Sequence, residues 1–180
     1  MNALVRRAIP QDAESIAQVH IETWQKAYRS QLPDSFLDHL SEELSSRTET
    51  WRSNISRPAA STEIWVTEVE GSANSFVALG PARGTVPDGT GEIYAIYVHP
   101  RFWDKGLGRA LFAHANHRLM SLGFTAAILW VLESNSRARR FYEIAGWALD
   151  GATKTETRPG GIELREVCYR RVFRSQKEEQ

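Results

Sequence analysis

The chain has almost no cysteine. Cys168 stands alone among 180 residues, so no intramolecular disulfide can form and a thiolate metal cluster lacks ligands. There is no excess of charge either, because 22 Lys and Arg balance 22 Asp and Glu. A protein that grips nucleic acid over a broad face carries a basic surplus, and none exists here. Long apolar runs are missing too. No stretch approaches the roughly 20 apolar residues that cross a bilayer. The opening MNALVRRAIPQD lacks the apolar core of a secretory signal. These absences predict a cytoplasmic protein with no membrane and no nucleic-acid partner. His114 and His117 lack a third ligand, so no metal site is expected. Internal repeats and low-complexity linkers are also absent. One domain is expected over residues 1–173, with a polar tail, RSQKEEQ, at 174–180.

What is present is a change of hydrophobic period along the chain. LVRRAI is a short first strand. Asp12 offers an N-cap, and Ala13, Ile16, Ala17, His20, Trp24, Ala27 and Tyr28 follow at helical spacing. Pro33 and Asp34 open a second helical stretch, and Glu42 to Ile55 read as helical again. Then the period becomes two. EIWVTEVEG and SFVALG read as strands, and EIYAIYVHP is a third that Pro100 stops. Leu107, Leu111, Ala115, Leu119 and Leu122 share one helix face, which Gly123 ends. AAILWVLE is a buried strand. Asn135 can cap the next helix, where Ala138, Phe141, Tyr142 and Ala145 share a face, and REVCYRRVF is the last strand. The predicted class is α/β, a mixed sheet in the order β-α-α-β-β-β-α-β-α-β-β. The crossover through residues 92–132 implies one parallel pair in it.

FWDKGLGRAL, residues 102–111, interrupts this pattern with Gly106 and Gly108 beside Lys105 and Arg109. It is no dinucleotide fingerprint, because Leu111 occupies the third glycine position, and it is no Walker loop. Two readings remain: a plain helix start with glycines for packing, or an anion site formed by backbone N–H groups at a helix N-terminus.

With its surroundings, IYVHPRFWDKGLGRALFAHA and NSRARRFYEIAGW, this segment resembles the GNAT N-acetyltransferase superfamily. That family has V-x-P, here Val98-His99-Pro100, before [RQ]-x-x-G-x-[GA]. Here the loop runs from Trp103 to Gly108, and Trp103 departs from the usual Arg or Gln. The resemblance is specific over about residues 92–147. It implies the GNAT fold, a mostly antiparallel sheet with one splayed parallel pair, and acetyl-CoA as cofactor. Asp104, Lys105, Gly106, Leu107, Gly108 and Arg109 would bind the CoA diphosphate. Ile96, Tyr97 and Val98 would pair with the pantetheine arm like an added strand. Asn135 would touch the cofactor near its thiol end, and Tyr142 would be the acid for the leaving thiolate.

The resemblance also makes Glu92 the candidate base, since family members often carry a catalytic Glu in this strand; alternation is taken to place it on a face with Tyr94, Ile96 and Val98, with Glu133 a weaker candidate behind it. Trp24, Tyr28 and Trp130 are candidates for the acceptor wall, or simply core. The arginines of SRARRFY either reach the cofactor phosphates or form a solvated face. The implied activity is direct transfer of an acetyl group to a primary amine of a small molecule or peptide. A non-catalytic acyl-CoA-binding module and a transferase of longer acyl groups fit the same motifs. A homodimer through the last strand is also expected as an option, since REVCYRRVF would present an edge.

Overall fold

The protein is described by a computed structural model over residues 4–173. The tail expected at 174–180 lies outside the described residues. Seven strands form one sheet in the order β1-β2-β3-β4-β5-β7-β6. They are β1 Leu4–Arg7, β2 Glu63–Val69, β3 Ser72–Pro81, β4 Thr90–Val98, β5 Ala126–Leu132, β6 Ala148–Arg158 and β7 Ile162–Val172. The helices are α1 Ala13–Ala27, α2 Asp34–His39, α3 Leu44–Ser56, α4 Leu107–Ser121 and α5 Ser136–Ile144. Three helices thus separate β1 from β2, where the expected order has two.

The apolar faces read from the sequence are the ones buried. Leu107, Leu111, Ala115 and Leu119 of α4 are almost fully covered, and the last three pack with Ile93, Leu129 and Tyr142 under one face of the sheet. On the other face Ile16 and Val19 of α1 meet Val66 and Phe76. The caps divide. Asn135 caps α5, its Oδ1 accepting from Ala138 N at 3.0 Å. Asp12 does not cap α1. Its carboxylate takes both Arg6 guanidinium nitrogens, at 2.7 and 2.9 Å, and Ile9 N–H at 2.8 Å. A charged bidentate partner outweighs a single cap bond.

Only β4 and β5 run parallel, and they pair only from Thr90–Ile93 to Ala126–Leu129. Beyond that point they part. β5 continues on β7 to Leu132, and β4 continues on β3 to Val98. A bulge accompanies the parting. Ala78 faces Ala95 but Leu79 faces Ile93, which leaves Tyr94 as an extra residue in β4. Such an insertion bends and twists its strand. It also breaks the alternation, so Ile93 and Ile96 both pack in the cluster under α4. Glu92, adjacent to Ile93, therefore does not share a face with Ile96 and Val98 as strict alternation predicts.

The last strand is not an edge. β7 is paired on both sides, by β5 and by β6. The free edge belongs to β6, whose eleven residues are all exposed. The edge expected at 165–173 is therefore taken up inside the sheet as far as Arg170.

Candidate functional site

The site begins where β4 leaves its neighbour. His99 N–H donates to Asn74 O of the β3 side at 2.9 Å. In an antiparallel ladder the backbone groups of alternate residues face the same partner. Tyr97, two residues earlier and opposite Phe76, thus faces β3 as well. Ile96 and Val98 turn their N–H and C=O groups the other way, into the gap left by β5. Of the three residues expected on this edge, Tyr97 contributes a side chain instead. Val98 O is already occupied, accepting from Trp103 Nε1–H at 2.7 Å and Thr23 Oγ1–H at 3.1 Å.

A short 3-10 turn, Pro100–Phe102, carries the chain from β4 to the glycine loop. Asp104 at φ 61° and Gly106 at φ 85° are both left-handed and reverse the chain within three residues. Among the described residues, none of the N–H groups from Asp104 to Arg109 reaches a protein acceptor. This leaves a row of bare donors at the start of a 15-residue helix, where the dipole also favours an anion. The two glycines differ. Gly106 has open space around it, and what it supplies is the left-handed turn. Gly108 is helical, and a Cβ there would touch Val98 Cγ2 at 3.4 Å and Phe141 at 4.0 Å, ordinary contact distances. Lys105 is turned toward Phe102, its Nζ 5.1 Å from the ring centre.

Tyr142 of α5 is 7% exposed and lies among Phe112, Phe141 and Tyr169. Its hydroxyl makes no hydrogen bond among the described residues. Burial, with Tyr97 nearby, raises its pKa well above the usual phenol range. The phenol therefore keeps its proton across the physiological pH range. Asn135 engages both ends of its amide inside the protein, because Nδ2 donates to Tyr28 Oη at 2.8 Å while Oδ1 caps α5. A residue expected at the cofactor and one expected at the acceptor wall thus meet. Burial also raises the Tyr28 phenol.

The acceptor-side aromatics form a cluster on α1 and β4. Trp24 sits edge-on to Tyr28 at 5.0 Å and donates Nε1–H to Tyr97 Oη at 3.1 Å. His20 stacks on Tyr97 at 4.6 Å, with Arg47 Nη1 3.3 Å from its Nδ1. Burial, then Arg47 and Arg158, push His20 down to about 3, so the ring is neutral. Trp130 is not part of this cluster. Among the described residues its ring is covered by Lys154, whose Nζ lies 4.4 Å from the ring centre and 3.1 Å from Glu166. Sequence reasoning placed His20 only as a helix-face residue and passed over the Tyr97 side chain. Their stacking depends on how α1 crosses β4, which no local pattern states.

Glu92 is 2% exposed, and Arg83 holds both of its carboxylate oxygens. Arg83 Nη2 lies 2.6 Å from Oε1, and Arg83 N–H donates to Oε2 at 2.9 Å. Glu133 is likewise paired, with Arg165 at 3.2 Å. Cys168 is buried, and burial pushes its thiol up to about 11, which leaves it a poor nucleophile. A groove of about 660 Å³ runs along the outer side of α1 past Pro100. It is lined by Gln18, Glu22 and Gln25 and includes none of the candidate cofactor, catalytic or acceptor residues above. Among the described residues no group of three His, Cys, Asp or Glu is placed to hold a metal, and no helix is long and apolar enough to cross a membrane.

Known proteins share this arrangement. Residues 15–147 match the acetyltransferase (GNAT) family. A probable N-acetyltransferase of Mycobacterium tuberculosis, Rv2775, is 30% identical over 174 residues, covering 97% of this chain and 95% of that protein. Among solved structures, the PaiA N-acetyltransferase of Thermoplasma acidophilum, in complex with coenzyme A, superposes with a TM-score of 0.73. It is 18% identical, and the match covers 96% of this chain and all of that one. YncA of Salmonella typhimurium, a putative acetyltransferase with its cofactor acetyl-CoA, has a TM-score of 0.69 at 18% identity. That match covers all of this chain and 99% of the other. With its splayed parallel pair, its bare loop before α4 and a family match over most of its length, the chain belongs to the acetyltransferase (GNAT) family.

Proposed function

We propose that this chain moves an acetyl group from acetyl-CoA to a primary amine of a small molecule or peptide, by direct attack with both substrates bound. One observation carries the reading. The unpaired N–H groups of Ile96 and Val98 run on into the bare N–H groups of residues 104–109. An amide-rich arm suits the strand edge and a diphosphate suits the loop, and CoA joins the two in that order. A nucleotide without the arm leaves the edge unused. The CoA and acetyl-CoA complexes of proteins with this fold support the same choice.

When bound, acetyl-CoA supplies an activated thioester and a thiol leaving group. The residues of this chain supply the rest. The N–H groups of Ile96 and Val98 face the gap and can polarise a carbonyl held there. Tyr142 keeps its proton. With a pKa above that of a thiol near 8.5, it acts mainly by donating a hydrogen bond to sulfur. The grip of Arg83 argues against Glu92 as the base. In this reading Glu92 fixes the chain around Arg83 against β4, and the amine loses its proton to water. Trp24 and Tyr28 contribute the acceptor wall.

Two measurements test the function. Titration calorimetry should show acetyl-CoA binding, and free thiol should be released with at least one member of a panel of polyamines, amino acids, aminoglycosides and peptide N-termini. Absence of binding at high micromolar protein contradicts the proposal. Binding with no turnover on any amine favours a sensing module on the same scaffold.

A further inference from the structure

Position 103 is where the family resemblance expects Arg or Gln, and this chain has Trp. Its indole is fixed, because Nε1–H donates to Val98 O at 2.7 Å. On that ring lies a guanidinium from a distant part of the chain. Arg137 Cζ is 4.4 Å from the Trp103 ring centre, and Arg137 Nη2 is 2.8 Å from Asp104 Oδ1. Arg137 stands in the first turn of α5, 33 residues beyond Asp104.

Two other cations near this end of the sheet are differently engaged. Lys105 leans on Phe102, and Arg139 is tied to Tyr169 Oη at 3.2 Å and Glu133 O at 3.0 Å. Arg137 is tied only to the loop itself. A stacked guanidinium keeps its N–H donors free in the plane of the fork, so it can hold Asp104 and a phosphate oxygen together. Asp104 otherwise sets a negative charge beside an anion site, and Arg137 offsets it.

We propose that Trp103 and Arg137 form a relocated diphosphate clamp, in which Arg137 is the cation that the loop lacks at position 103 and Trp103 is the platform that aims it. The proposal rests on the CoA reading of the loop. Arg137 is a binding residue and Trp103 a positioning residue.

Calorimetry on the whole chain with CoA and with dephospho-CoA tests it. Arg137→Ala should weaken both about tenfold, the size of one charge-assisted phosphate contact. Arg137→Lys should lose less, because charge remains without the fork. Trp103→Leu should lose about as much as Arg137→Ala, and the double variant little more than either. Trp103→Arg placed in the Arg137→Ala background should recover affinity, which a merely structural role for Trp103 does not predict. Arg140→Ala, exposed on the same helix, should bind like wild type, and melting temperatures should confirm folding.

Several results would overturn the clamp. Unchanged CoA affinity in Arg137→Ala makes the contact a plain surface ion pair. A loss seen with CoA but not dephospho-CoA moves the contact to the 3′-phosphate. Additive losses from Trp103→Leu and Arg137→Ala remove the platform role. A wild-type chain that binds neither cofactor overturns the function itself, whereas a binding wild type with an equally binding Arg137→Ala variant overturns the clamp alone.

Discussion

The two halves of the site differ in which atoms are left free. On the cofactor half, from β4 through the 104–109 loop, the unpartnered groups are backbone N–H donors. On the acceptor half, side chains face the site and already satisfy one another. Trp24 bonds Tyr97, Asn135 bonds Tyr28 and Arg47 meets His20. Recognition by backbone depends on strand register and on where a left-handed residue falls. Recognition by side chains depends on which of several contacts a ligand displaces. The first half is built for one kind of ligand, and the second is where related chains can differ in acceptor.

The contrast can be broken in order of effect. Tyr142→Phe removes the hydroxyl that the proposed mechanism uses on the cofactor half. Its kcat should fall roughly 10- to 100-fold, the low end for an acid–base group because its raised pKa limits it to hydrogen-bond donation. Stopped-flow detection of thiol release, with acetyl-CoA affinity unchanged, is the check. Next comes Gly106→Val. A β-branched residue at φ 85° costs about 1–2 kcal/mol or more, so CoA affinity should drop by roughly tenfold or more. Gly108→Ala, which has room for its methyl group, should stay within about threefold. Equal losses at the two glycines would contradict the distinction between conformation and space.

Glu92→Gln sharpens the contrast from the other side. Loss of the charged partner of Arg83 should lower unfolding free energy by roughly 1–3 kcal/mol, with the acidic limb of the kcat/KM profile unmoved. A shifted limb would restore Glu92 as the base. Trp24→Phe should raise the amine KM by about two- to fivefold, through loss of its bond to Tyr97, and leave CoA affinity alone.

The last effect is a pH dependence of stability. His20 titrates near 6.5 in an unfolded chain but is pushed down to about 3 by burial and by Arg47 and Arg158. As pH falls, the unfolded chain binds the proton first. Stability present above pH 6.5 is therefore lost progressively between about 6.5 and 3. Urea midpoints at pH 7.5, 5.5 and 4.5 should fall more steeply for wild type than for His20→Gln, and parallel curves would place the loss elsewhere.

Sequence patterns located the end of β4 and the glycine loop before α4 well, for a physical reason. Helix faces, Gly106 and the Val98-His99-Pro100 strand end are local features with fixed periods or dihedral demands. The structure adds the Tyr94 bulge, which removes Tyr97 from the free edge and Glu92 from the face of Ile96. One extra residue in a ladder leaves no period in the sequence. β6 also escaped placement, because its eleven exposed residues alternate nothing. On the acceptor half the aromatic residues were visible but their partners were not. Asn135 with Tyr28 spans 107 positions and Trp24 with Tyr97 spans 73. Trp103, which stood out as a departure, is explained by a residue 34 positions away.

The most direct test of the central claim, that backbone amides recognise the cofactor, is a CoA titration of uniformly labelled protein followed by amide resonances. The account predicts that the largest shifts fall on Ile96, Val98 and the residues from Asp104 to Arg109, with small changes at His20 and Trp24. Saturable binding whose largest shifts lie on α1 or along the β6–β7 hairpin, with the 104–109 amides unmoved, would contradict it.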